Sequence, residues 1–331
     1  IALHLFTWIF YNPNKGDLLR IGYIIDLYPN YRDIFKAELE NKVIFSRMSD
    51  KTDIRKFKVL IIGDSYSEQN NFGYQNYLAK NNVETLHIES FLHKNQIQTL
   101  YGLLNGDFFD QYQVDFIVLQ FVERNSVELV ENIDTAKVMT AEELGNLANK
   151  KRVNETYNFK FPSDSVLKFP YYTLQYYRNN DYVFGGKTYK TEITQDLFSA
   201  GNKELLFYFQ DIVATNKNSD EAKVSKLNAV LNDLNGLLKK KGIKLIVLPG
   251  PDKYDIYYEF ILNKSKYPKP IFFELFDKMN KEYAYIDSKQ ILTNALTVKK
   301  DIYFYDDSHW SPWASQIIAE AISKEIKLSE K

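Results

Sequence analysis

Cysteine is absent from the 331-residue sequence, and this excludes disulfide bonds, thiolate nucleophiles and thiolate metal sites. Histidine is scarce as well: its positions show no spacing typical of a paired metal-binding motif, and they are His4, His87, His93 and His309. An excess of one charge is also missing, because 42 Lys and Arg face 43 Asp and Glu. Without a bulk positive field, the chain is not expected to bind nucleic acid. We expect no metal and no other cofactor.

A hydrophobic run long enough to span a membrane is lacking too. Residues 1–11, IALHLFTWIFY, are almost wholly apolar, but a spanning helix needs roughly 20 such residues. The run is therefore either a buried strand or helix, or the outer end of a membrane anchor or signal segment upstream of Ile1. The second interpretation predicts an extracytoplasmic protein, periplasmic or at the cell surface. We treat residues 1–54 as an N-terminal segment and residues 55–331 as the main domain.

Apolar runs of strand length, rich in β-branched and aromatic residues, recur along the main domain. Continuous rather than alternating hydrophobicity is typical of strands buried on both faces of a parallel sheet. A helical stripe from Leu227 to Leu238 leads directly into one of these runs, as in a βαβ unit. We therefore predict an α/β fold, with a doubly wound, mostly parallel five-stranded sheet flanked by helices. The predicted strands are residues 58–62, 83–88, 115–121, 243–248 and 283–286.

The stretch from about residue 126 to 218 interrupts this rhythm. It is rich in Tyr, Asn and Lys, and it contains Phe161-Pro162 and Gly185-Gly186 but no long periodic helix. We interpret it as an insertion beside the sheet, either a lid or an ordinary surface elaboration.

The strongest local motif is Gly63-Asp64-Ser65, which ends the first predicted strand. Ligands bind at the carboxyl ends of parallel strands, so a serine nucleophile would be well placed there. The backbone N–H of Ser65, at the start of a helix, is suited to donate to an oxyanion. The alternative is a serine that only caps this helix.

A second motif near the C-terminus, Asp306-Asp307-Ser308-His309-Trp310, offers a base and a carboxylate together. A serine hydroxyl needs a base to accept its proton, and the imidazole needs a carboxylate to fix its tautomer. Ser311 and Pro312 predict the start of a helix immediately afterwards. His309 is thus expected on a loop that can aim it at a neighbouring strand end.

Together, these motifs resemble the first and last blocks of SGNH (GDSL-like) hydrolases. The Asp307-x-His309-Trp310 form and the strand that ends in Glu123-Arg124 resemble the alginate O-acetyltransferase-like branch, which modifies bacterial exopolysaccharides. Here the Asp-His block follows the Gly-Asp-Ser block, as in ordinary SGNH hydrolases. The resemblance implies an SGNH/flavodoxin-like sheet, Ser65 as nucleophile and His309 as base. The alginate-type spacing selects Asp307 as the acid, whereas the general SGNH spacing selects Asp306.

The remaining site residues are predicted from their expected position at the strand-end rim. The middle SGNH blocks have no clear match, so the candidates for the oxyanion hole, besides the Ser65 N–H, are Gly73, Gln120 and Asn125. Arg124 is expected to bind an anionic or polyhydroxyl substrate or to form a salt bridge with Glu123 or another acid. Lys253 is expected either to contact substrate or to belong to a rigid turn. Tyr66 and Trp310, which adjoin the nucleophile and the base, are further substrate-binding candidates.

The predicted function is O-acyl transfer, with acetyl as the expected group, to a cell-surface or secreted polysaccharide. Its partners would be that acceptor and an acyl donor, the donor supplied by a membrane acyltransferase. The alternatives are a carbohydrate acetylesterase with the same three residues and a non-catalytic glycan-binding relative. The last requires Ser65 and His309 to lie far apart.

Overall fold

The computed structural model describes residues 16–25, 28–50, 54–151, 167–200 and 203–330. Among these, six parallel strands form the central sheet, in the order β1-β3-β2-β4-β8-β9. Their bounds are β1 Ser46–Arg47, β2 Lys56–Ile62, β3 Thr85–Ile88, β4 Gln113–Val122, β8 Lys244–Gly250 and β9 Ala284–Tyr285.

The predicted fold class is confirmed: the sheet is parallel and the fold is α/β, although the strand count differs. All five predicted strands occur with shifted bounds, and β1 adds a sixth at the edge beside β3. Only two residues long and half-buried, β1 offers no apolar run to detect. It lies inside the N-terminal segment, so the described part of that segment joins the central sheet. The apolar residues 1–11 lie outside the described residues.

Helices cover both faces of the sheet because successive side chains of its strands point to opposite sides. Val59 and Ile61 belong to one apolar core, and Leu60 and Ile62 belong to the other. The helices are α1 Asp17–Ile21, α2 Lys36–Leu39, α3 Tyr74–Lys80, α4 Gln96–Asn105, α5 Phe108–Gln111, α6 Ala141–Lys151, α7 Lys168–Tyr176, α8 Phe209–Asn218, α9 Glu221–Lys240, α10 Lys253–Tyr257, α11 Phe272–Asp277, α12 Ser288–Leu296 and α13 Pro312–Ser329.

The predicted insertion contains more regular structure than its sequence suggests. Helices α6, α7 and α8 lie within it, together with a three-stranded antiparallel sheet of β5 Tyr182–Phe184, β6 Thr188–Glu192 and β7 Glu204–Tyr208. Its helices are only 9 to 11 residues long, too short for a sustained periodic stripe. Phe207 of β7 packs against Tyr254 in the same core as Trp310, so this sheet adjoins the His309 side of the fold. Phe161-Pro162 lies outside the described residues, and the domain bounds remain a prediction.

In the part of the chain that the structure describes, no helix combines the length and apolar character required to cross a membrane.

Candidate active site

The Gly-Asp-Ser turn follows β2 at the carboxyl end of the sheet. Gly63 is required there, because a Cβ at this position would lie 2.1 Å from Ser67 Oγ and 2.7 Å from Gln120 Oε1. Ser65 opens a single 3-10 turn, Ser65–Ser67, and its side chain is exposed. The turn thus presents the serine hydroxyl outward at a strand end.

Asp64 anchors this turn to the neighbouring strand. Its carboxylate accepts hydrogen bonds from the backbone N–H of Tyr66 (3.0 Å) and from that of Val122 in β4 (2.6 Å). Burial raises the pKa of Asp64, while these N–H groups act in the opposite direction. Asp64 is therefore a structural member of the motif that fixes Ser65 relative to β4.

His309 lies on the loop between α12 and α13. A bridge between Tyr303 and Trp310 closes this loop, and the Ser311 hydroxyl caps α13 by accepting from Trp313 N (3.2 Å). Pro312 occupies the first turn of the helix, so the helix start predicted at these residues is confirmed. Hereafter residues 303–311 are called the His309 loop.

Ser65, His309 and Asp307 form a continuous chain of contacts. Ser65 Oγ lies 2.9 Å from His309 Nε2, and His309 Nδ1 lies 2.6 Å from Asp307 Oδ1. An ionised carboxylate can only accept, so Nδ1 carries a proton and Nε2 of the neutral ring is free to accept from the Ser65 hydroxyl. Ser65 and His309 therefore lie within hydrogen-bonding distance, as a nucleophile and its base require.

The charges of the pair reinforce this arrangement. Burial acts to raise the pKa of Asp307, but His309 and Arg32 outweigh it, so this pKa lies below its usual value. Burial acts to lower the pKa of His309, but the Asp307 carboxylate outweighs it, so the imidazole pKa lies above its usual value. The pair therefore favours a proton on the imidazole and a negative charge on the carboxylate.

Asp306, the alternative acid, does not contact His309 in this structure. Its carboxylate accepts from Arg32 Nε (3.2 Å) and Nη2 (3.0 Å), an arrangement that pairs both oxygens with one guanidinium. Asp307 instead accepts from the backbone N–H of His309 (3.0 Å), which turns its carboxylate toward the imidazole. Of the two spacings, the alginate-type one describes this geometry.

Asp17 and Arg32 are site residues that the sequence analysis missed. Asp17 Oδ1 and Oδ2 accept from the backbone N–H (2.8 Å) and hydroxyl (2.6 Å) of Ser308, and Oδ2 lies 3.9 Å from His309 Nδ1. Arg32 Nη2 donates to Asp307 Oδ2 (3.2 Å). Both residues lie in the N-terminal segment, almost the whole chain away from His309. No local sequence signal indicates such a contact.

Asp17, Asp307 and His309 are the only group of acidic and histidine side chains, among the described residues, that is close enough to hold a metal ion. Their possible metal-binding atoms lie within 4.8 Å of one another. His309 Nδ1 already contacts Asp307 and the Asp17 carboxylate already contacts Ser308, so hydrogen bonds account for the cluster.

Two of the oxyanion candidates are wrong. The Gly73 N–H donates to Asn70 O (3.1 Å) and is not available to a substrate. Gln120 lies beneath the turn, where its Oε1 accepts from Asp64 N (3.0 Å) and its Nε2 is buried. Asn125 is exposed at the end of the turn Glu123–Asn125, and among the described residues no hydrogen bond joins it to Ser65. The Ser65 N–H has no acceptor among the described residues and remains a candidate.

Tyr66 and Trp310 are buried, so their prediction as substrate contacts is wrong. Tyr66 donates through its hydroxyl to Ser308 O (2.9 Å), and its ring centroid lies 5.0 Å from that of His309 and 4.8 Å from that of Trp310. Both aromatic side chains are fully inaccessible to solvent. These two aromatic side chains pack beneath the His309 imidazole.

Arg124 forms the salt bridges that were its alternative interpretation, although not with Glu123. Its Nη1 contacts Asp211 Oδ1 (3.1 Å) and Asp252 Oδ1 (2.5 Å), and only 9% of the side chain is exposed. The Glu123 carboxylate accepts instead from the backbone N–H of Asp252 (3.0 Å). Arg124 is thus a buried cation beneath the strand-end rim.

Lys253 supports the His309 loop from inside the protein, so its prediction as a substrate contact is wrong. Its Nζ donates to the carbonyls of Phe304 (2.7 Å), Tyr305 (2.8 Å) and Asp307 (3.2 Å). Burial lowers the pKa of Lys253 to about 7, against the opposing effect of the Asp306 and Asp307 carboxylates. The rigid-turn interpretation is the better description, since this lysine fixes the main chain that carries the acid.

Comparison with known proteins agrees with the fold and with the second motif. Residues 199–331 match a family model described as the SGNH hydrolase-like domain of acetyltransferase AlgX. No curated protein and no solved structure gives a significant match. The matched part contains Asp307, His309 and Lys253, whereas Ser65 and the N-terminal segment precede it. Over residues 199–331, the resemblance to the alginate O-acetyltransferase-like branch of the SGNH superfamily is therefore confirmed.

Proposed function

We propose that this protein is a serine O-acyltransferase of the SGNH type that transfers acetyl groups to a polysaccharide. Ser65 would be the nucleophile, His309 the general base and acid, and Asp307 the residue that orients the imidazole. The observation that supports this most strongly is the contact chain from Ser65 Oγ through His309 to Asp307, with separations of 2.9 and 2.6 Å. These distances are those of an activated hydroxyl nucleophile.

The proposed reaction has two balanced halves. Ser65 Oγ attacks the acyl carbonyl while its proton passes to His309 Nε2, and the donor alcohol then leaves with that proton. An acceptor hydroxyl next attacks the acyl-enzyme and gives its proton to Nε2. The new ester leaves, and the proton returns to Ser65 Oγ. In both halves Asp307 stabilises the transient imidazolium without taking its proton.

The backbone also supports this chemistry. The Ser65 N–H, with no acceptor in the described structure, can donate to the oxyanion that develops on the acyl carbonyl. One such donor contributes roughly 10²-fold or more to the rate in comparable sites.

The acetyl group and the polysaccharide acceptor are proposed from the family resemblance. The matched model is that of an acetyltransferase, which favours acetyl as the transferred group. An exopolysaccharide acceptor, an acyl donor supplied by a membrane acyltransferase, and an extracytoplasmic, membrane-anchored location are proposed on the same basis.

An acetylesterase with the same residues is the second candidate. The exposure of Ser65 favours it, because water can reach an acyl group on an open serine. A non-catalytic glycan-binding role is disfavoured, since it has no need for the short Ser65 to His309 contact.

The proposal is tested with 4-nitrophenyl acetate as donor, with and without candidate oligosaccharides as acceptors. We expect a burst of nitrophenolate, one acetyl group on the tryptic peptide of residues 59–80, and acetylated sugar in the mass spectrum. Ser65→Ala should abolish the adduct, while Ser225→Ala, at an exposed serine of α9, should keep it.

The outcomes separate the candidates. Acetylated sugar indicates transfer, and an adduct cleared only by water indicates the esterase. A Ser65→Ala variant with unchanged burst and turnover would contradict both.

A further inference from the structure

The N-terminal segment closes over the acid and base from outside the matched region. The main chain at Asp17 and Leu18 runs against the His309 loop: Asp17 N donates to Asp307 Oδ2 (3.3 Å), and Leu18 N donates to Asp306 O (3.1 Å). Gly16 permits this approach, since a Cβ there would lie 2.0 Å from Asp306 O. The segment is therefore fitted to the main chain that carries the acid.

We propose that Asp17 and Arg32 are positioning residues, which the N-terminal segment supplies to set the geometry of the Asp307–His309 pair. This inference rests on the proposed function. Neither residue needs to touch substrate for this role.

Arg32 determines which oxygen of Asp307 serves the imidazole. Its Nη2 and the Asp17 N–H both donate to Oδ2, which leaves Oδ1 for His309 Nδ1. The guanidinium also pairs with Asp306, and its central carbon lies 4.2 Å from the ring centroid of Phe304. These two contacts fix the orientation of the guanidinium. Only a rigid planar cation makes all of these contacts at once.

Asp17 fixes the residue between the acid and the base. Both its oxygens accept from Ser308, one from the backbone N–H and one from the hydroxyl. Ser308 joins Asp307 to His309, so its position determines the angle at which the imidazole meets Ser65. A misplacement of about 1 Å at such a position costs about 100-fold in rate.

Asp17 also contributes to the charge around the imidazole. The groups that face His309 are the Asp307 and Asp17 carboxylates, which act to raise its pKa, and Arg124, which acts to lower it. Removing the Asp17 charge should therefore lower the pKa of His309. A variant that only lost stability would leave this pKa unchanged in the folded protein.

The test compares Arg32→Gln, Arg32→Lys and Asp17→Asn in the full chain, with 4-nitrophenyl acetate as substrate. Arg32→Gln should lower kcat about 100-fold with little change in KM, because the guanidinium positions the acid and does not bind the ester. Arg32→Lys should recover part of the lost kcat, because lysine restores the positive charge but not the paired N–H groups of the guanidinium. Asp17→Asn should shift the acid limb of kcat/KM to lower pH, because a carboxylate that raises the pKa of His309 is removed. Matched controls are Lys42→Gln and Asp33→Asn, exposed positions of the same segment.

Folding is checked for each variant by circular dichroism and urea unfolding. If Arg32→Gln does not fold, the pH shift of Asp17→Asn carries the test. Wild-type kcat in a folded Arg32→Gln, or an unmoved acid limb in Asp17→Asn, would overturn the inference. The proposed function fails separately, if Ser65→Ala and His309→Gln both keep full activity in the same assay.

Discussion

Asp306 and Asp307 are adjacent carboxylates with different partners, and the structure predicts that substitution by Asn will affect them in opposite ways. Asp307 contacts the imidazole through Oδ1, while Asp306 pairs both oxygens with Arg32. We expect D307N to abolish activity in a folded protein and D306N to destabilise a protein that retains activity.

The effect of D307N follows from the donors around the carboxylate. The Oδ2 position faces two fixed donors, Arg32 Nη2 and Asp17 N, whereas Oδ1 faces the backbone N–H of His309 and a ring nitrogen that can change tautomer. The new amide nitrogen is therefore least unfavourable at the Oδ1 position. There it donates to Nδ1, so the ring proton moves to Nε2 and the base can no longer accept from Ser65. A wrong tautomer in a serine triad costs about 10⁴-fold in kcat.

The effect of D306N follows from its ion pair with Arg32. Breaking a buried pair costs about 3 to 5 kcal/mol, and we expect about 2 to 3 here, because the Arg32 side chain is 18% exposed and keeps its contact with Asp307. Urea unfolding measures this loss, and the nitrophenolate burst measures acylation. If D306N lost the burst while D307N kept it, the assignment of the acid and the tautomer argument would both be wrong.

Three further predictions concern the His309 loop and the buried titratable groups. K253M removes three hydrogen bonds to carbonyls of the His309 loop, so the free energy of unfolding, measured by urea titration, should fall by about 3 kcal/mol or more. An unchanged urea midpoint would contradict the supporting role of Lys253. The Asp307 carboxylate holds the pKa of His309 above 6.5, and only the neutral ring accepts a proton, so kcat/KM should decline on acidification with a midpoint above pH 6.5. A midpoint below pH 6.5 would contradict the idea that Asp307 raises this pKa. Burial lowers the pKa of His87 to about 3, so between about pH 6.5 and pH 3 the unfolded state binds a proton that the folded state does not, and the free energy of unfolding should fall as the pH drops through this range. His87→Gln should lose this part of the pH dependence, and a variant with the same stability profile as the wild type would contradict the prediction.

The sheet and the two motifs could be predicted because their signals are local. A strand buried on both faces leaves a continuous apolar run, as in β2 and β4. The Gly63-Asp64-Ser65 and Ser311-Pro312 motifs can each be recognised from a few consecutive residues. Strand β1 and the short helices of the insertion leave no comparable pattern.

The errors among the predicted substrate contacts have one common cause. Tyr66, Trp310, Arg124 and Lys253 are adjacent to site elements in sequence, but adjacency does not determine which way a side chain points. Each of them faces inward and supports the site from below. Conversely, Asp17 and Arg32 reach the site through tertiary contacts that span most of the chain.

The contact between Asp17 and Ser308 joins residues 291 positions apart. Closing so long a loop carries a large entropic cost, so contacts of this kind form late in folding. During synthesis, the acid and base cannot adopt their final geometry until His309 has emerged, long after Asp17. In a refolding experiment, acylation activity should therefore appear after the helical signal has recovered, which makes catalysis a reporter of the completed fold.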